Sequence, residues 1–232
     1  MQTLTEKRVF GSKFGTTELF VASETGLVAV SISADQIGEF GLAHRGPVQA
    51  VAADQRGVLI GTDDGVLHSS PETETDAGTA QSRTFSPLDG FGNPVAVGWG
   101  PERAIAVDAS GTVVTHAVDN GDWTTVGELD GVRAVDGDLL AATDGVYRLD
   151  GDGLSHVGLS DVRDVASHGT PLAATADGLF ALGNGWQRVR EGAFDRVASD
   201  GHAHAHAVGS SGLLRRTDEA DSAAEGWTAD EL

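Results

Sequence analysis

The chain has 232 residues, 40% of them hydrophobic, with 35 acidic residues against 15 basic ones and a formal net charge of −20. That length can bury a substantial core within a single domain, and the apolar content is too high for an acidic disordered chain. The complete lack of cysteine excludes disulfides, thiolate metal sites and cysteine nucleophiles.

Reading from the N-terminus, MQTLTEKRVFGSK has no apolar run behind its basic pair, so no secretory signal is expected. Nowhere do about 18 apolar residues follow one another, so no membrane-spanning helix and no membrane partner are expected. Lys7 and Lys13 are the only lysines; every other basic residue is arginine. An acidic, lysine-poor, alanine-rich chain repels itself unless molar salt shortens the Debye length to about 3 Å. The composition therefore predicts a halophilic, cytoplasmic protein. Nucleic acid is not an expected partner, because phosphate contacts need a basic face that this chain lacks.

Six segments share one shape, an apolar run, a turn ending in glycine, and a second apolar run. In chain order they are LFVASETGLVAVS, VLIGTDDGVLHSS, AIAVDASGTVVTHA, LLAATDGVYRLD, PLAATADGLFALG and AHAVGSSGLLRRT. Their common glycines, Gly26, Gly65, Gly111, Gly145, Gly178 and Gly212, recur at intervals of 39, 46, 34, 33 and 34 residues. Turns of Ser, Thr, Asp and Gly between apolar runs are hairpins. Ahead of each hairpin lies a strand-like run centred on valine: KRVFGS, VQAVAAD, PVAVGW, VRAVDG, VRDVAS and FDRVAS. Behind most lies a fourth run, as in GDWTTVGEL, GNGWQRV and EGWTADEL.

Four short antiparallel strands repeated six times predict an all-β, six-bladed β-propeller of four-stranded antiparallel blades. The approximate blades are 1–44, 45–90, 91–130, 131–160, 161–192 and 193–232 of one domain. Consecutive apolar residues in LLAAT and VLIG fit sheets covered on both faces. SSPETETDAGTAQSRTF is expected as an insertion between the third and fourth strands of blade 2.

The patterns GLF…GW…V and GVYRLDGDG resemble propeller repeats of the two-component-regulator and Asp-box type. With segments such as EKRVF and GEFGLAHRG, the whole chain resembles an uncharacterised β-propeller family of haloarchaea, a resemblance that implies the fold and no activity. VDNGDW only approximates an Asp-box, and the sequence has no Trp-Asp dipeptide of the WD40 kind.

Two groups of residues carry candidate chemistry. In GHAHAHAVGSSG, His202, His204 and His206 alternate with alanine and so share one strand face. Alignment on the common glycine puts His206 where other blades carry apolar residues such as Leu59 and Ile105. The stretch reads either as a strand with packed and edge histidines or as a metal site, since two imidazoles on one face can converge on zinc. The second group is cationic. Lys7, Arg8, Arg133, Arg163 and Arg196 stand at the starts of first strands, with Arg45 in the turn before blade 2. First strands are innermost in a propeller, so these residues ring one mouth of the channel. They read either as a pocket for a small anion or as arginine–carboxylate bridges to neighbouring second-to-third-strand turns.

No cofactor-binding glycine motif, Gly-x-Ser-x-Gly elbow or other convincing catalytic set is found. Tyr147, the single tyrosine, aligns with core positions. The expected function is therefore a non-catalytic binding or assembly scaffold with an unknown protein partner. The alternatives are a hydrolase or lyase acting on a small anion at the channel mouth, with Asp108 or Asp164, and a metal-dependent activity at the histidines.

Overall fold

The computed structural model describes residues 16–33, 36–71, 83–117, 121–151, 153–201, 204–216 and 226–229. Blade 1 contains β1 (Thr16–Ser23), β2 (Gly26–Ser33) and β3 (Gln36–Arg45). Blade 2 contains β4 (Ala50–Asp54), β5 (Gly57–Thr62), β6 (Gly65–Ser69) and β7 (Ser86–Leu88), and blade 3 β8 (Pro94–Trp99), β9 (Ala104–Asp108), β10 (Thr112–His116) and β11 (Thr124–Glu128). Blade 4 contains β12 (Ala134–Asp136), β13 (Leu139–Ala142), β14 (Gly145–Asp150) and β15 (Gly153–Gly158). Blade 5 contains β16 (Val162–Ala166), β17 (Leu172–Thr175), β18 (Gly178–Leu182) and β19 (Trp186–Glu191). Blade 6 contains β20 (Phe194–Ser199), β21 (Ala205–Gly209), β22 (Gly212–Arg216) and β23 (Trp227–Ala229).

Each blade is an antiparallel meander, and the six together form a six-bladed β-propeller. Blade 1 has three described strands and the others four; the strand expected over KRVFGS lies outside the described residues. The expected insertion falls between β6 and β7, and most of it also lies outside them. Ring order follows from the first strands, since β4 packs on β8, β8 on β12, β12 on β16 and β16 on β20.

The core sits between blades rather than within one. Successive residues of a second strand point to opposite faces, and here each face meets a different neighbour. In β13, Leu139 and Ala141 pack with Val162, Val165 and Ala173 of blade 5, while Leu140 packs with Ile105, Val107 and Val113 of blade 3. In β9, Ala104 and Ala106 turn to Leu59 and Val66 of blade 2, while Ile105 and Val107 turn to blade 4. Every residue of β5, β13 and β17 is buried. This explains the uninterrupted apolar runs. A strand wedged between two sheets has no wet face on which to place polar residues.

Three first strands carry a bulge near their start. Pairing passes from Pro94 to Ala96 in β8, from Val162 to Asp164 in β16 and from Phe194 to Arg196 in β20. Val95, Arg163 and Asp195 are the residues left out of the ladder. A bulge of this kind re-aims a side chain, and two of these three belong to the rim described next.

Candidate functional site at the channel mouths

The arginines of blades 4 to 6 come together on the mouth where the first strands begin. The Arg133 guanidinium donates to Asp161 Oδ1 at 2.7 Å and to the Val162 carbonyl at 3.1 Å. Arg163 Nη1 donates to Asp195 Oδ1 at 2.6 Å, and Arg196 Nη1 to the Asp195 carbonyl at 2.8 Å. Arg133, Asp161, Arg163, Asp195 and Arg196 thus form a ladder of alternating charge across three blades. Its carboxylates come from the leads and first strands of the next blades, not from the second-to-third-strand turns. Asp161 is held firmly: it adopts a left-handed φ of 46°, and its N–H donates to the Thr143 carbonyl at 2.7 Å. Arg45 is exposed at the end of β3. Lys7 and Arg8 lie outside the described residues.

The hydrogen bond from Arg133 holds the Asp161 carboxyl below its ordinary range, with the charges of Arg133 and Arg163 adding to it against a little desolvation. A depressed carboxyl stabilises the fold above the unfolded-state value of about 4, and that contribution is lost as pH falls through the folded-state value. Arg133→Ala therefore raises the Asp161 value toward the ordinary one, which an NMR pH titration of its carboxyl reads directly. An unchanged value would show that Arg133 does not govern Asp161.

Acids on the second-to-third-strand turns are engaged locally. Asp108 accepts from Ser110 N, Ser110 Oγ and Thr112 N at 2.9, 2.7 and 3.0 Å. Asp144 accepts the Tyr147 hydroxyl at 2.7 Å, which raises the phenol's pKa. Asp63 accepts from Gln49.

Asp164 differs from them. Its two oxygens accept Val165 N and Val197 N, both at 3.0 Å, tying β16 to β20. Burial pushes its carboxyl upward against the pull of those two amides and Arg196, and the charge of Asp136 adds to the rise. The sign is opposite to that of Asp161: the contribution of Asp164 is full below the unfolded-state value and is lost as pH rises through the folded-state one.

The opposite mouth, where first strands turn into second ones, encloses a cavity of about 490 Å³ lined in part by Asp54, Arg56, Asp136, Asp138, Ser167 and His168. Arg56 forks onto Asp54 at 2.9 and 2.6 Å, donates to the Gly100 carbonyl at 2.7 Å and lies 4.5 Å over the Trp99 ring. Asp136 Oδ2 accepts Ser167 N at 2.6 Å and Ser167 Oγ at 2.9 Å, with His168 Nδ1 3.6 Å away. Trp99 is a core residue, 6% exposed, with its N–H on the Gly57 carbonyl at 3.2 Å. Of the candidates expected from sequence, the described His204 stands on a first-to-second-strand turn, ahead of β21, but it does not line this cavity. The signal available was the recurrence of Asp, Arg and His in the short turns DQRG, GPER, DGD and SHG.

The histidines separate. His202 lies outside the described residues. His204 precedes β21, is exposed, and its Nδ1 lies 2.9 Å from Asp200 Oδ2. His206 is in strand β21, as expected, yet it is exposed rather than packed. Ala205 and Ala207 take the face toward blade 5, so His206 and Val208 take the other, which no described cluster covers. Among the described residues no group of three His, Asp or Glu side chains could hold a metal ion.

A family model described as HVO_0234-like beta propeller matches residues 3–232. The chain belongs to that family. No curated protein matches its sequence. Among solved structures this HVO_0234-like propeller is similar to the Neurospora crassa Pan2 WD40 domain, at 12% identity and a TM-score of 0.59, over 86% of this chain and 71% of that one. It is similar to U3-55K at 12% identity and a TM-score of 0.63, over 85% and 73% of the two chains. The extracellular domain of the putative one component system BT4673 from B. thetaiotaomicron matches at 12% identity and a TM-score of 0.63, where 88% of this chain spans 31% of that one. Identities this low speak to the fold alone.

Proposed function

We propose that this HVO_0234-like propeller is a non-catalytic binding platform for a protein partner in a salt-rich cytoplasm. The observation that carries the reading is a contrast between engaged charges and exposed apolar side chains. Rim arginines from blades 4 to 6 are paired or bound to backbone carbonyls, and Asp54, Asp108, Asp136 and Asp144 accept bonds from neighbours. Large apolar side chains are exposed as well: Ile37 is 74% exposed and Phe40 68%. Large apolar side chains left in contact with water mark interaction surfaces more than chemistry. Composition supports the salt-rich setting, since a charge of −20 is tolerated most easily where it is screened.

Affinity capture of the tagged protein in its own high-salt lysate tests the reading. A protein that stays bound in constant ratio through a second column supports it; nothing retained, together with turnover of a small anion, overturns it. The second reading, a hydrolase or lyase on a small anion, has one observation in its favour: the raised carboxyl of Asp164 beside Asp136. A thermal-shift screen of small anions in molar KCl addresses it, and an anion that raises the melting temperature in wild type but not in Asp164→Asn would favour that chemistry.

A further inference from the structure

Asparagine is rare in this chain, with only three copies, and each meets a different neighbour. Asn120 lies outside the described residues. Asn93 precedes Pro94, whose amide nitrogen carries no hydrogen and cannot act as a nucleophile. Asn184 precedes Gly185 in the turn Gly183–Asn184–Gly185, which joins β18 to β19 between the paired Leu182 and Trp186. All of that turn is exposed. Nothing stands within 4 Å of where a Cβ on Gly185 would be.

A backbone bond runs across the turn from the Gly183 N–H to the Gly185 carbonyl at 3.0 Å. Among the described residues no hydrogen bond takes up the Gly185 N–H or the Asn184 side chain. The Asp–Gly pairs on the second-to-third-strand turns of blades 4 and 5 are placed differently. Gly145 and Gly178 are buried, Asp144 accepts the Tyr147 hydroxyl, and the Gly178 N–H donates to Thr175 Oγ1 at 3.0 Å. Their carboxylates are also ionised at neutral pH, and an ionised carboxylate resists nucleophilic attack far more than an amide does.

We propose that Asn184 is a site of spontaneous covalent modification, deamidation through a cyclic imide formed with Gly185. The Gly185 nitrogen loses its proton and attacks Cγ of Asn184. The new N–Cγ bond closes the imide, the Cγ–Nδ2 bond breaks, and the side-chain nitrogen takes up a proton and leaves as ammonia. Water then opens the ring. Its attack at Cγ leaves aspartate; its attack at the main-chain carbonyl carbon leaves isoaspartate, with the chain now running through Cβ and Cγ. Nothing is oxidised or reduced. Glycine makes the approach possible, because a side chain at 185 would crowd the attacking nitrogen. Gly185 also holds a φ of 144°, open to glycine without strain. Exposed loop tips tolerate such changes, and the next residue, Trp186, is anchored on blade 4 by its N–H to the Val157 carbonyl at 2.9 Å. The inference stands apart from the platform reading, since it needs only this turn and water.

Ageing of the full chain in mildly alkaline, molar KCl, followed by peptide mass spectrometry, is the test. The Asn184 peptide should exchange an amino for a hydroxyl group and split into aspartate and isoaspartate forms, while Asn93 stays intact. A carboxyl methyltransferase directed to isoaspartate, supplied with labelled S-adenosylmethionine, should label the aged protein. Asn184→Gln, whose side chain is a methylene longer, should lose most of that label. Gly185→Ala should slow the conversion by about an order of magnitude. Circular dichroism melting confirms that both variants fold; should Gly185→Ala not fold, Asn184→Gln, an exchange on an exposed turn, carries the test alone. An Asn184 that stays an amide in the folded protein, for the time in which it converts in guanidinium chloride, would overturn the proposal. So would a label undiminished in Asn184→Gln, or a folded Gly185→Ala that converts as fast as wild type.

Discussion

Leu139→Ala and Leu140→Ala are each expected to cost about 2–5 kcal/mol of stability, the range for emptying a leucine site in a packed core. These residues are neighbours in the chain and point in opposite directions. Leu139 fills the space between blades 4 and 5 and Leu140 that between blades 3 and 4, both with no exposure. In a sheet with one wet face, one of the pair would be a surface residue, and its truncation would change stability by less than about 0.5 kcal/mol. Denaturant unfolding of the two variants therefore tests the wedged arrangement itself. A near-neutral result for either one would be incompatible with it.

The second large effect separates two glycines that look equivalent. Gly111 and Gly212 each close a second-to-third-strand hairpin, with φ of 90° and 99°, a conformation that costs other residues about 1–3 kcal/mol. At Gly111 a Cβ would also stand 2.3 Å from the Leu129 carbonyl oxygen, whereas at Gly212 nothing lies within 4 Å. Gly212→Ala should lose only the conformational part. Gly111→Ala should lose that and more, because the Leu129 backbone is held against the turn by donating its N–H to the Gly111 carbonyl at 2.8 Å. Equal losses in thermal or denaturant unfolding would mean the turn of blade 3 opens to admit the methyl group.

Both expectations show how much was legible beforehand. The hairpin glycines, the apolar doublets of the second strands and the position of the blade 2 insertion were read from local pattern, because a blade's covalent period is also its structural period. The arginines at the first-strand starts were placed on one rim by the same reasoning. Their partners were not. Asp161 and Asp195 reach the rim through a left-handed residue and a bulge, and neither feature has a reliable residue signature. The column of His206 is apolar in other blades, which suggests either a packed histidine or a metal ligand; it is exposed because Ala205 and Ala207 take the buried face of β21. The cavity of the opposite mouth was missed because its polar lining is gathered from turns of different blades that share no aligned column.

Taken alone, then, the sequence determines a recurring four-strand unit, its number, its handed-down hairpin turns and a heavily negative surface, since all of these are encoded within about 40 consecutive residues. Only the tertiary structure decides which charges neutralise each other around the channel, which imidazoles meet water and which second-strand faces are sealed by a neighbouring blade. Those outcomes depend on what the adjacent blade places opposite, and residues opposite one another in the ring are separated in the chain by a whole repeat.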